Sequence, residues 1–165
     1  MPARILSSQA TSRDELLKLH SLIASVYAAS PYMSQPAEEK YPNVEALARE
    51  LERSLVVVAE DGGRLQGYLT VARHDTAKLR HTAELNMGVA PAAQGRGVGR
   101  LLLETAFAAL PERGIEIVYL HVRADNAPGV RLYESFGFER LCVLDRDTKI
   151  DGRYFDAVLM RKRVG

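Results

Sequence analysis

Hydrophobic and polar positions along this chain follow a helical period in some segments and a strand-like period in others. Apolar residues recur every three to four positions after Ser12 and again after Asn43, which predicts two amphipathic helices. Ser12 and Asn43 are suitable N-caps because their side-chain oxygens can accept a hydrogen bond from the first helical turn. Alternating or continuous apolar runs predict strands over residues 3–8, 55–59, 65–73, 83–89, 115–122, 139–149 and 153–161.

The same pattern predicts two further helices in the second half of the chain. Residues 98–110 carry two apolar stripes, so this helix is expected to be largely buried and to end before Pro111. Asn126 and Gly137 delimit a shorter helix, as its N-cap and as the residue just past its C-terminus. The resulting order, β-α-α-β-β-β-α-β-α-β-β, predicts an α/β fold with a mixed sheet (α+β), in which a right-handed crossover joins two parallel strands.

Glycines alternate at Gly95, Gly97 and Gly99, directly before the predicted buried helix. Glycine accepts positive φ and has no Cβ, so successive backbone N–H groups can converge on one anion. The unpaired N–H groups and the aligned peptide dipoles of the helix start add positive potential at the same point. The sequence therefore predicts a pyrophosphate site that is formed by backbone and needs no lysine.

This loop and a second segment together resemble the GNAT superfamily of acetyl-coenzyme A dependent N-acetyltransferases. The stretch Gln94-Gly95-Arg96-Gly97-Val98-Gly99 is similar to the family's Q/R-x-x-G-x-G/A loop, with Gln94 where arginine is commoner. The segment from Asn126 to Phe138 is similar to its N-x-x-A/G-x-x-L-Y-x-x-x-G-F motif. The resemblance extends from about Val56 to Met160. It implies the GNAT, or acyl-CoA N-acyltransferase, fold, and one N-acetyltransferase domain over residues 1–165.

The resemblance also implies that acetyl-CoA is the co-substrate and where it binds. In this family two parallel strands separate at their centre, and the pantetheine arm pairs with one of them, here at Met87, Gly88 and Val89. The pyrophosphate would lie on the glycine loop, formed by Gln94, Gly95, Arg96, Gly97, Val98, Gly99 and Arg100. Asn126 would contact the arm from the other side, in addition to its role as a helix cap.

The implied reaction is attack of an amine on a thioester. An alkylamine with a pKa of about 10 is mostly protonated at neutral pH, so a base must first remove a proton. Glu84, at the start of the strand that leads into the loop, is the candidate base, and a chain of ordered water is the alternative. Tyr133 holds the family's tyrosine position, and a phenol with a pKa near 10 is a suitable proton donor to the departing thiolate.

The acceptor is expected to be a small molecule with a primary amine, such as an amino acid. Tyr32 and Met33, between the first two helices, and Tyr154 and Asp156, in the final strand, are the candidate acceptor-binding residues. A second hypothesis is an acetyltransferase that acts on protein N-termini or lysines. A non-catalytic acyl-CoA or dinucleotide-binding module is a third, although Arg100 stands where the third glycine of G-x-G-x-x-G belongs.

Composition narrows the remaining questions. The 165 residues are 47% hydrophobic and 26% charged, as expected of a soluble domain with a sizeable core, and a net charge of +1 argues against a nucleic-acid partner. Cys142 is the single cysteine, and no apolar run suggests a membrane span or a signal peptide, so cytoplasm is expected. Histidines such as His121 lack metal-ligand spacing, and no metal is expected. A homodimer is left open, as is the length of the acyl chain.

Overall fold

An apolar run from Leu55 to Ala59 lies at the centre of the fold, and each of its side chains is at most 3% exposed. Such a run is typical of a strand that is covered on both faces. Leu55, Val57 and Ala59 belong to one hydrophobic core, whereas Val56 and Val58 belong to the other. The alternation of side chains along one strand therefore divides the protein into two layers of core on either side of a sheet.

The computed structural model describes all residues from Met1 to Gly165. Its strands are β1 (Ala3–Leu6), β2 (Ser54–Asp61), β3 (Arg64–Arg73), β4 (Thr82–Val89), β5 (Ile117–Arg123), β6 (Glu139–Ile150) and β7 (Arg153–Arg163). Its α-helices are α1 (Arg13–Ala29), α2 (Ala37–Lys40), α3 (Val44–Arg53), α4 (Val98–Ala109) and α5 (Ala127–Phe136). The sheet has seven strands in the order β1-β2-β3-β4-β5-β7-β6. The predicted mixed α/β sheet is confirmed, and the single turn of α2 is an element that the hydrophobic pattern did not indicate.

Helix ends lie where capping residues occur in the sequence. Ser12 Oγ accepts a hydrogen bond from the Glu15 N–H at 3.1 Å, and Asn43 Oδ1 accepts one from the Ala46 N–H at 2.9 Å. Asn126 Oδ1 accepts from the Gly129 N–H at 3.1 Å, so the three predicted N-caps are confirmed. No helix in the structure combines the length and the hydropathy that crossing a bilayer requires.

The separation of two parallel strands creates an opening in the middle of the sheet. β4 and β5 are the one parallel pair, and they are in register only where Thr82–Glu84 faces Ile117–Tyr119. Beyond Glu84, β4 stays paired with β3 as far as Val89, while β5 pairs with β7. The edge of β4 that faces β5 therefore carries backbone N–H and C=O groups without a strand partner, which is the gap that the resemblance predicted.

Candidate active site

The glycine loop leads into the N-terminus of α4, and two of its residues have the left-handed backbone conformation that glycine adopts most easily. Gly95 and Gly97 have φ values of +75° and +81°, and Gly97 is the N-cap residue of α4. Nothing lies within 4 Å of where a Cβ would stand at either residue, so backbone conformation rather than space requires glycine there. The first-turn N–H groups of α4 have no acceptor within the helix, and with the helix dipole they favour an anion at this point.

Gly99 is required for a different reason. A Cβ at this residue would lie 2.7 Å from Leu132 Cδ2 on α5 and 3.0 Å from Met87 Cε on β4. The absence of a side chain thus allows α4, α5 and β4 to approach one another closely. These three elements converge beside the free edge of β4.

A cavity of about 510 Å³ follows this edge from the glycine loop to the end of α1, and we call it the glycine-loop cavity. Every residue that the sequence predicted for the coenzyme lines it, with the exception of Arg96. Arg96 instead forms an ion pair with Asp61 at the end of β2, at 3.3 Å. Arg100 lines the cavity and also pairs with Glu104 on the next turn of α4.

A second cavity of about 460 Å³ opens on the other side of the split strands, and we call it the Glu84 cavity. Its wall is formed by residues from α1, the α1–α2 connection, α2, β4, β5, α5 with its N-cap, β6 and β7. The residues common to both cavities are Ser30, Tyr32, Met33, Met87, Asn126 and Tyr133. The two cavities therefore share a wall, to which the predicted residues Tyr32, Met33 and Tyr133 all contribute.

Tyr133 reaches this shared wall from α5. Its ring packs edge-on against Phe138, with the ring centroids 5.7 Å apart, and its C=O accepts a hydrogen bond from the Phe138 N–H at 2.9 Å. Burial raises the pKa of the Tyr133 phenol above its ordinary value of 10.0, because desolvation disfavours the phenolate. The hydroxyl is therefore protonated at neutral pH and available as a donor.

Glu84 lies beside His121 in the second cavity. The Glu84 Oε1 is 3.0 Å from His121 Nδ1, and each side chain is a little under half exposed. Glu84 is the last β4 residue in register with β5, opposite Tyr119, so His121, two residues on, projects from the same face. The sequence predicted Glu84 but took His121 for an ordinary polar residue. Side chains alternate between the two faces of each strand, but this alternation predicts the Glu84–His121 contact only once the register of β4 and β5 is known.

Arg123 holds the α1–α2 connection against the sheet. Its guanidinium binds both carboxylate oxygens of Asp125, at 3.0 and 2.7 Å, and donates to the Pro31 carbonyl. It also stacks on the Phe155 ring, 3.8 Å from the centroid. The hydrogen bonds from Arg123 hold the pKa of Asp125 below its usual value. With its side chain only 8% exposed, Arg123 fixes the connection that brings Tyr32 and Met33 between the two cavities.

A bulge in β6 closes the Glu84 cavity. Residues 145–147 stand opposite the single residue Asp156 of β7, because pairing passes from Leu144 with Ala157 to Thr148 with Phe155. Arg146 has a φ of +52°, and its N–H donates to Asp156 Oδ1 at 2.9 Å. Asp156 thus stabilises a left-handed residue, and the bulge places Asp147 and Thr148 in the cavity wall.

Tyr154 and Asp156 lie outside both cavities, which differs from the expectation that they contact the acceptor. Tyr154 is half exposed and packs beside the cationic groups of Arg146 and Lys149, 4.9 and 5.2 Å from its ring centroid. A likeness to the family's final-strand pattern suggested them, whereas in the structure Asp156 accepts a hydrogen bond from the bulged Arg146 N–H. Lys40, Asp147 and Thr148, which the sequence did not single out, line the cavity instead.

Comparison with known proteins gives consistent results. The sequence model described as the Acetyltransferase (GNAT) family matches residues 18–138. The N-alpha-acetyltransferase RimI of Mycobacterium tuberculosis is 40% identical over 111 residues, which are 66% of each chain. A mycothiol acetyltransferase of Thermomonospora curvata is 40% identical over 87 residues, which are 52% of this chain and 28% of the relative. The matches thus span two thirds or less of these curated relatives.

A solved structure shares the fold over the whole chain. The GNAT superfamily phosphinothricin acetyltransferase of Sinorhizobium meliloti, in complex with AcCoA, superimposes with a TM-score of 0.83. It covers 100% of this chain and 90% of its own, at 17% sequence identity. At that identity the likeness concerns the fold.

Proposed function

This chain belongs to the GNAT acetyltransferase family, and we propose that it is an N-acetyltransferase that moves the acetyl group of acetyl-CoA to the primary amine of a small molecule. The observation that carries the proposal is the meeting of two cavities at Tyr133, one beside a backbone anion site and the other beside a carboxylate. All seven strands form one sheet, which supports treating residues 1–165 as one N-acetyltransferase domain.

The residues of the glycine-loop cavity fit acetyl-CoA. The N–H groups from Gly95 to Arg100 would bind the pyrophosphate, and the free edge of β4 at Met87–Val89 would pair with the amide groups of the pantetheine arm. The close approach that Gly99 permits keeps this channel narrow. The cavity ends at Tyr32, Met33 and Tyr133, so a thioester at its inner end would face the second cavity.

Glu84 is the proposed base. An acceptor amine in the Glu84 cavity arrives mostly as an ammonium ion, and the Glu84 carboxylate attracts it and takes its proton directly or through water. His121 orients this carboxylate through the 3.0 Å contact with its Nδ1. The neutral amine then attacks the thioester carbon across the shared wall.

Tyr133 is the proposed acid. Once the new C–N bond forms and the C–S bond breaks, the departing sulfur takes the proton of the Tyr133 hydroxyl. The nitrogen releases its second proton as the amide forms, and that proton returns to the phenolate through solvent. Burial suits this role, because the raised pKa keeps the Tyr133 phenol protonated to a higher pH than an exposed phenol.

One observation favours a second candidate function. The relative from M. tuberculosis, named an N-alpha-acetyltransferase, is 40% identical over 66% of this chain. The second candidate is therefore acetylation of a protein N-terminus in the Glu84 cavity by the same chemistry.

Thiol release from acetyl-CoA separates the two candidates. We expect turnover with free amines and amino acids at a higher kcat/KM than with peptides that carry the same N-terminal residue. A higher kcat/KM for the peptides would establish the second candidate. Calorimetric binding of acetyl-CoA without turnover of any acceptor would reject both, and would identify a binding module.

A further inference from the structure

Two polar groups in the Glu84 cavity have no hydrogen bond or ion pair within the protein and no role in the proposed chemistry. Glu84 contacts His121, and Arg123 is satisfied by Asp125 and the Pro31 carbonyl. Lys40 and Thr148 line the same cavity, and each lacks such a contact. Both residues therefore belong to the wall around the space that an acceptor would occupy.

Lys40 ends the single turn of α2, and its side chain is only partly exposed. No ion pair in the structure includes its ammonium group, which lies 5.8 Å from the centroid of the Tyr41 ring. Burial lowers the pKa of this lysine, although the more distant carboxylates of Glu50 and Glu84 oppose that effect. A partly desolvated cation without a counter-ion is unfavourable on its own, and an anionic ligand would relieve that cost.

Thr148 presents the second group. Its Oγ1 is buried and has no hydrogen-bond partner in the protein. Thr148 is the first residue after the β6 bulge, where pairing with β7 resumes opposite Phe155, and it lies in the cavity wall. A buried hydroxyl without a partner is rare in folded proteins, so a ligand oxygen is a natural acceptor for its proton.

We propose that Lys40 and Thr148 bind a carboxylate of the acceptor, so that the acceptor is an amino carboxylate, with one amine to be acetylated and one free acid group. The ammonium of Lys40 supplies the charge, and the hydroxyl of Thr148 supplies a directed hydrogen bond. This inference rests on the proposed function, which it narrows to one class of acceptor.

The other charges of the cavity agree with a zwitterionic ligand. Glu84 and Asp147 are the carboxylates in its wall, and both attract the ammonium end of such a molecule. Lys40 is the one cation there that has no counter-ion in the protein, and it attracts the opposite end. A simple monoamine would leave Lys40 unpaired, and a peptide N-terminus would offer it a neutral carbonyl.

Matched acceptors test the proposal directly. Amino acids and ω-amino acids of graded length are compared with their amides, using thiol release to obtain kcat/KM. We expect the free acid of the best pair to exceed its amide about 10- to 100-fold, as a charge-assisted contact predicts. Lys40→Met should remove this preference by raising KM for the acid while kcat and the activity with the amide change little.

Further variants separate recognition from folding. Lys40→Arg keeps the charge and should restore part of the preference, whereas Thr148→Val should reduce it about three- to tenfold. Lys78→Met, on an exposed turn away from the cavity, is the matched control and should behave as the unaltered protein does. Thermal unfolding of each variant shows whether the fold is kept.

The outcomes distinguish this inference from the proposed function. Turnover of acids and amides at equal efficiency, or a preference that survives Lys40→Met, would overturn the carboxylate site and leave the acetyltransferase intact. If no acceptor is turned over, the acids and amides are titrated calorimetrically into the CoA-bound protein. Binding of the acids that Lys40→Met abolishes would then support the site without the reaction, and absence of binding would reject it.

Discussion

The two cavities that meet at Tyr133 are built in different ways. Eleven of the 21 residues that line the glycine-loop cavity come from one continuous stretch, from Met87 on β4 to Arg100 on α4. The Glu84 cavity is lined by residues from many separate elements, from α1 to β7. Backbone groups suit a ligand that never changes, whereas side chains can be exchanged without disturbing the sheet. The coenzyme side of the site is thus fixed by the fold, and the acceptor side is fixed by individual residues.

The largest effect is expected from Tyr133→Phe. Tyr133 lines both cavities, but its hydroxyl is proposed to act in the reaction and not in the binding of either substrate. We expect kcat to fall about 100-fold or more, the usual contribution of a general acid. The KM values for acetyl-CoA and for the acceptor should stay within about threefold, since the ring and its packing on Phe138 are kept. Steady-state kinetics with each substrate varied in turn gives all three constants.

Tyr119→Phe is the matched control for this variant. Tyr119 lies on β5 and lines neither cavity, so its hydroxyl should have no effect on kcat. An unchanged kcat in Tyr133→Phe would remove the proposed acid from the mechanism and leave only a packing role for the residue.

A smaller effect is expected from Gly97→Val, which tests the backbone side alone. At a φ of +81° a β-branched residue is strained, and relaxation of the loop moves the N–H groups at the start of α4. We expect KM for acetyl-CoA to rise about tenfold, through one weakened charge-assisted hydrogen bond. Acceptor selectivity should be unchanged, because no side chain of the Glu84 cavity is involved.

Gly114→Val is the control for backbone strain at a position outside the glycine loop. Gly114 has a φ of +71° and open space at its Cβ position, but it follows α4 far along the chain from the loop. Both variants should lose about 1–2 kcal/mol in free energy of unfolding, as a left-handed residue predicts. If Gly114→Val raised KM for acetyl-CoA as much as Gly97→Val, the effect would come from general destabilisation rather than from the anion site.

The same division explains how much could be predicted from the sequence. Gly95, Gly97, Asn126 and Tyr133 lie in two short motifs, and the structure brings them together because α4 and α5 both start beside the free edge of β4. Local sequence patterns are enough to predict which residues lie together when most of them belong to one short stretch of the chain. Their roles in binding and catalysis stay predictions, to be tested by the variants above.

The acceptor side could not be predicted in the same way. His121 meets Glu84 only through the register of two parallel strands, which nothing in the local pattern specifies. Thr148 reaches the cavity through a bulge, and Lys40 through a four-residue helix in an irregular connection. Tyr154 and Asp156 show the converse, because a likeness to the family's final-strand pattern suggested an acceptor contact, whereas Asp156 bonds to the β6 bulge. Long-range pairing and irregular backbone decide this cavity, and both depend on the whole fold.

A modest effect is expected from Arg123→Lys. This variant tests whether binding requires Arg123 to hold the α1–α2 connection, which forms part of the shared wall, in a fixed position. Lysine keeps the charge but loses the two-point contact with Asp125 and the stacking on Phe155. The segment that carries Tyr32 and Met33 should loosen, and both KM values should rise about three- to fivefold, as expected for the loss of about 1 kcal/mol. Lys40→Met, in contrast, should affect the acceptor alone.

Arg161→Lys is the control for the loss of a guanidinium–carboxylate contact. Arg161 pairs with Glu139 on the neighbouring strand and lines neither cavity, so both KM values should be unchanged. A rise in the acceptor KM alone in Arg123→Lys would show that Arg123 acts within the Glu84 cavity rather than on the shared wall.

The smallest expected effect concerns pH and again separates the two sides. An ordinary tyrosine acid would be lost near pH 10, but desolvation raises the pKa of Tyr133, so its proton is retained to higher pH. We expect kcat at saturating acceptor to stay within about twofold between pH 8.5 and 10, as long as the general acid remains protonated. The acceptor KM should rise with pH before an ordinary lysine would lose its proton, because burial lowers the pKa of Lys40. A fall of kcat centred at pH 10 in unaltered protein, absent in Tyr133→Phe, would mean that Tyr133 titrates as a solvent-exposed phenol.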